Sequence, residues 1–146
     1  MTERTILQLG DPRLYEASSP VRREELAELA PVIRDLHDTM RAFQARYGWG
    51  RAIAAPQIGV AKRIVCMNDG EARTLINPSI DDASAERMTH WEDCMSFPDL
   101  VVQLSNPRSC RLRYYDEEWQ QHSVRLSEDY AELLQHEVDH LDGVLA

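Results

Sequence analysis

The chain has 146 residues, 43% of them hydrophobic, enough for one domain (residues 1–146) with a core of ordinary size. Its 25 acidic residues outnumber 16 basic ones for a net charge of -9, which argues against a nucleic-acid or anionic-membrane partner, since both need a positive surface. No apolar run approaches membrane-spanning length, Met1-Thr2-Glu3-Arg4 lacks the layout of a signal peptide, and the three cysteines make no disulfide framework, so a cytoplasmic protein is expected.

Residues 5–10 read as a short extended segment that ends at the Asp11-Pro12 turn, and Ser18, Ser19 and Pro20 form a second break. Leu26, Leu29, Ile33, Leu36, Met40, Phe43 and Tyr47 then recur at spacings of three and four, the pattern of an amphipathic core helix. Pro31 is expected to split a short lead-in turn from the main helix. His37 lies beside the stripe, as a surface or boundary histidine. The segment Gly48 to Gly59 joins small residues to Gln57, whose amide could stabilise an oxyanion.

Short strands are expected next, at 63–67 and 74–78 around an Asn68-Asp69-Gly70 turn, then at 100–104, 110–115 and 123–126. A last helix follows, with Ser127 placed to cap it, Glu128 and Asp129 in its first turn and Gly143 at its end. Its stripe is Leu126, Tyr130, Leu133, Leu134, Glu137 and Leu141, which turns the Glu137 carboxylate inward. The fold class is α+β: antiparallel β-sheets packed around a C-terminal helix, with a long N-terminal amphipathic helix. No repeat, low-complexity stretch or interdomain linker interrupts it.

The last helix carries His136-Glu137-Val138-Asp139-His140, an H-E-x-x-H motif. Histidines at i and i+4 share one helix face and can grip one metal ion, and the glutamate beside the first can act as general base toward an activated water. Such a cation would also account for an inward carboxylate, which is costly when it has no partner. A third histidine six residues past the second would fall at Ala146, so a third ligand is expected from upstream. Cys66 and Cys110 sit among strand-like apolar residues, where cysteine is usually inert. Cys94 lies in a polar, irregular stretch and is favoured, with His90 as its rival and His37 and His122 as weaker candidates.

Three segments in order, Gly50 to Gln57, Glu92 to Ser96 and Gln135 to His140, resemble the G-x-G-x-A-A-x-Q, E-G-C-x-S and Q-H-E-x-D-H motifs of peptide deformylases. Leu9 to Leu14 and Ala55 to Gly59 also look like that family, so the resemblance runs over nearly the whole chain. It implies a metal-dependent hydrolase that removes the N-formyl group from N-formyl-methionyl peptides or nascent chains, at the ribosome, releasing formate. It further implies one divalent metal ion on Cys94, His136 and His140, Fe(II) by preference, with Zn(II), Ni(II) or Co(II) able to replace it. Glu137 would be the general base, Gln57 and the Met95 N–H would steady the oxyanion, and Gln135, Glu92 and Asp139 would support the ligands. Arg108 would pair with one of those carboxylates.

The departures fall on substrate-lining positions. Ala52 replaces the second glycine of the first motif, Arg51 stands where the family has an aliphatic residue, and Asp93 replaces the glycine of the second motif. The arginine expected after the motif cysteine has no counterpart, Val101 and Gln103 lying nearest, and the chain ends at Ala146, where relatives usually continue. Arg51, Ala52 and Asp93 are therefore expected to line the substrate groove, with Arg51 and Asp93 facing each other or the substrate. A deformylase for another N-formyl substrate, a metallopeptidase and a catalytically weak metal-binding relative are the alternatives.

Overall fold

The structure is a computed structural model, and it describes residues 2–146. Its first long element is helix α1 (Leu26–Tyr47), which runs unbroken through Pro31. The expected split therefore lies earlier, at a 3-10 turn over Arg23–Glu25. Proline already has a helical φ, and near the start of α1 it gives up one hydrogen bond without ending the helix. Gly48, at φ 77°, closes α1 by donating its N–H to the Gln44 carbonyl at 2.8 Å.

Seven strands follow: β1 (Ala52–Ala54), β2 (Ile64–Asn68), β3 (Ala72–Asp81), β4 (Arg87–Glu92), β5 (Val102–Pro107), β6 (Ser109–Tyr115) and β7 (Gln121–Ser127). Five of them form one antiparallel sheet in the order β1-β2-β3-β6-β7, and β4 pairs with β5 separately. The register between β3 and β6 shifts between Ile76 and Ser79. Pro78 has no N–H to give there, and Asn77 takes a φ of 52° while its side chain bonds both backbone groups of Val21 at 2.8 Å.

Residues 5–10 form no strand, yet their backbone is used. The Leu7 N–H donates to the Gln57 carbonyl at 2.7 Å and the Leu9 N–H to the Ser96 carbonyl at 2.8 Å. The strand expected at 100–104 begins at Val102 instead, and β1 and β4 were not expected. β1 is only three apolar residues long, and β4 carries polar residues on both faces, so neither shows a clear two-residue alternation.

Helix α2 (Glu128–Leu141) starts differently from expectation. Ser127 holds the capping position but its hydroxyl makes no capping bond; the Glu128 N–H instead donates to the Arg108 carbonyl at 3.0 Å. Tyr130 leaves the apolar stripe for the surface, where its hydroxyl bonds Asp69. Gly143, at φ 77°, turns the chain after α2, with the Val144 N–H reaching back to the Asp139 carbonyl at 2.9 Å. One core cluster joins α1 to β1 and β2, and a second joins the large sheet to α2. Among the described residues no helix is long and apolar enough to cross a membrane.

Candidate metal centre

α2 packs on the large sheet, and its His136 and His140 meet Cys94 from the turn that follows β4. His136 and His140 are one helical turn apart, with their Nε2 atoms 3.0 Å from each other. The Cys94 Sγ approaches His140 Nε2 to 3.3 Å, and one donor atom from each of the three residues lies within 4.8 Å of the others. All three side chains are buried. A sulfur and two imidazole nitrogens converging on one point present three lone pairs of the types a divalent transition metal takes, so this donor set fits a metal.

Burial and the adjacent His136 push the pKa of His140 down to about 3, which keeps it in the neutral, ligating form. Burial opposes charge on His136 as well, but the closely placed Cys94 and Glu92 side chains outweigh it and hold its pKa well above the usual value. Glu92, the last residue of β4, is buried and brings Oε2 to 3.2 Å from His136 Nδ1, which fixes how the ring faces. The Ser96 N–H donates to Cys94 Sγ at 3.4 Å.

Glu137 is fully buried beside these groups, and burial raises its carboxyl to about 7. Its Oε2 has no hydrogen-bond partner among the described residues. Gln57 sits in a 3-10 turn over Ala55–Ile58 and is 1% exposed. The Ala54 N–H donates to its Oε1 at 2.8 Å, which orients Nε2 toward Ser96 Oγ at 3.0 Å and Cys94 Sγ at 3.5 Å. Met95 is buried directly after Cys94, and its methyl group packs where a side chain on Gly50 would lie, 2.5 Å from an ideal Cβ there.

A cleft of about 50 Å³ opens beside the centre, and Glu137, His136 and Cys94 line it together with Arg51, Ala52 and Asp93. Arg51 and Asp93 line the same cleft, but no ion pair joins them among the described residues. The Arg51 guanidinium grips Asp129, at the start of α2, through bonds of 2.6 and 3.2 Å, while Asp93 is exposed. Arg108 likewise pairs with Glu128 at 2.9 Å and Glu86 at 3.1 Å rather than with Glu92 or Asp139. Gln135 ties α2 to β5 by donating to the Pro107 carbonyl at 3.0 Å. Asp139 is half-buried, and burial raises its carboxyl to about 6.

The other candidates lie apart from the three-donor cluster. His90 faces Glu132 at 3.0 Å, His122 pairs with Asp116 at 2.8 Å, and His37 bonds Thr74 at 3.0 Å. Cys66 and Cys110 are buried in β2 and β6. Glu132, which also lines the cleft, lies outside every motif in the sequence. Glu132 lies one turn before His136, and that i, i+4 spacing was the available signal.

The chain matches a family model described as polypeptide deformylase over residues 3–146. It is 39% identical to peptide deformylase 2 of Ralstonia nicotianae, across 97% of this chain and 84% of that protein. To the peptide deformylase of Pseudothermotoga lettingae it is 37% identical, across 94% of this chain and 77% of that one. The crystal structure of the Thermotoga maritima peptide deformylase superimposes with a TM-score of 0.88 at 29% identity, covering 99% of this chain and 95% of that one. With the ordered motifs, the α+β architecture and the match over almost every residue in agreement, the chain belongs to the peptide deformylase family.

Proposed function

We propose that Cys94, His136 and His140 hold one divalent metal ion and that Glu137, Gln57 and the Met95 N–H carry out deformylation around it. The reaction is that of the family: hydrolysis of the N-formyl group at the terminus of a nascent peptide, with release of formate. The observation that carries this reading is the convergence of three buried donors beside the buried Glu137 carboxyl. When bound, a divalent cation acidifies water and polarises the formyl carbonyl.

The Glu137 carboxylate accepts the proton of the attacking water at Oε2, the oxygen that has no hydrogen-bond partner among the described residues, and delivers it to the leaving amine nitrogen. Gln57 Nε2 and the Met95 N–H donate to the oxyanion as the carbonyl carbon becomes tetrahedral. Glu92 holds the His136 ring in place through Nδ1. Thiolate with two imidazoles suits Fe(II), which we take as the native ion, and also Zn(II), Ni(II) and Co(II). The setting is a one-domain cytoplasmic enzyme meeting nascent chains at the ribosome.

The test is formate release from N-formyl-Met-Ala-Ser by anaerobically prepared, Fe(II)-loaded protein. Glu137→Ala should lower the rate by roughly 10²–10⁴-fold while metal stays at one per chain. No release by a metal-loaded wild type would overturn formyl-methionyl peptides as substrates. A second reading, an N-formyl substrate with a polar first side chain, is favoured by the charged groups Arg51, Asp93 and Glu132 in the cleft wall. Arg51→Leu and Asp93→Gly should then shift the ranking of N-formyl peptides toward apolar residues; an unchanged ranking counts against it.

A further inference from the structure

The wall of the same cleft carries a second set of donor atoms. His90 and Glu92 alternate along β4 and so share a face, and Glu132 reaches them from α2. One donor atom from each lies within 4.8 Å of the others. His90 Nδ1 is 3.0 Å from Glu132 Oε1, and Glu92 Oε2 is 3.2 Å from His136 Nδ1. Despite these distances, His90 Nδ1 and Glu92 Oε2 are both buried without a properly aligned hydrogen bond. The Glu92 side chain is 5% exposed and that of His90 10%.

The Asn106 side-chain amide lies 3.0 Å from the other ring nitrogen of His90. As placed, Asn106 Nδ2 donates to Nε2 and the ring proton lies on Nδ1 toward Glu132. A cation at Nδ1 takes the place of that proton, and turning the Asn106 amide so that its oxygen faces the ring lets it hold the proton on Nε2 instead. Two carboxylates and an imidazole carry the charge and the donor types that a divalent transition metal accepts. Negative charge is already crowded there. Burial raises the Glu132 carboxyl, His90 opposes that, and the nearby Glu92 and Asp129 raise it further.

We propose that His90, Glu92 and Glu132 form a second divalent-cation site that takes zinc, separate from the centre on Cys94, His136 and His140 and coupled to it through Glu92. An ion held there draws the Glu92 carboxylate away from His136 Nδ1 and occupies the wall of the substrate cleft, so excess zinc slows hydrolysis. The coupling rests on the function proposed above; the site itself does not.

Equilibrium dialysis of the full chain against zinc tests the site. Wild type should hold two zinc ions per chain, and His90→Ala and the near-isosteric Glu132→Gln one each. Cobalt loading should leave the thiolate charge-transfer absorption of Cys94 intact in Glu132→Gln, which shows that the loss is local. A wild type that holds a single zinc, or variants that both still hold two, overturns the site. In the formate assay, filling the second site should slow wild type at least about tenfold and spare His90→Ala. Equal zinc sensitivity in both overturns the coupling. Absence of formate release in any form of the protein counts against the hydrolase reading and leaves the dialysis result to decide the site.

Discussion

Gln57 shows how much one side chain is fixed before any substrate arrives. Its Oε1 is held by the Ala54 N–H, so Nε2 can only face Ser96 and Cys94. Gln57→Glu keeps the shape and removes the donor. It should lower kcat by about 10²–10³-fold with little change in KM; a raised KM at unchanged kcat would assign Gln57 to binding instead. His37 makes a prediction of another kind. Burial depresses its pKa below 6.5, and it donates through Nε2 to Thr74 Oγ1, whose own proton goes to Glu117. The unfolded chain therefore takes up this proton first as pH falls through 6.5, and stability is lost on acidification below that value. Urea midpoints between pH 7 and pH 5 should fall less steeply in His37→Gln than in wild type, and equal slopes would remove His37 as a contributor. At this scale, periodicity made His136, Glu137 and His140 legible because a helix fixes the i, i+4 relation locally. The partner of Arg51 was not legible: Asp129 lies 78 residues away, a relation that only the fold creates.

Both helices announce themselves through spacing, but their ends depend on details that spacing does not contain. Pro31 inside α1 costs the bond its nitrogen would have donated. Pro31→Ala should stabilise the protein by about 1–3 kcal/mol in urea denaturation, and a loss of stability would mean that the proline ring itself packs usefully. Gly143 after α2 has the opposite character. It is left-handed at φ 77°, and a Cβ there would meet the Tyr15 carbonyl oxygen at 2.5 Å. Gly143→Ala should cost at least about 1–2 kcal/mol from the backbone conformation alone; a neutral result would show that the chain end relaxes freely. Strands were read less well for a physical reason. β3 finds its second partner, β6, only after β4 and β5 have passed, and β4, polar on both faces, acquires its strand form by pairing with β5.

At the level of the whole molecule, the α+β class was legible because helical and strand periodicities are segregated along the sequence. The division into a five-stranded and a two-stranded sheet was not, since it depends on which edges pair. That division has a mechanical consequence. Cys94 lies in the connection between the two strands of the small sheet and His140 lies 46 residues later on α2, so one ion holding both would act as a rivet that closes a long loop. The small sheet is otherwise fastened to α2 by contacts such as Gln135 to Pro107 and His90 to Glu132. Chelation should therefore loosen the molecule unevenly. Amide deuterium exchange across 87–107 should quicken by roughly tenfold or more while β2 and β3 keep their protection. Uniform quickening would mean that the ion supports the whole core, and no change would mean that the hairpin stays docked on its own. A cation held by Cys94, His136 and His140 would thus also set how firmly the wall of the cleft is bolted to the rest of the molecule.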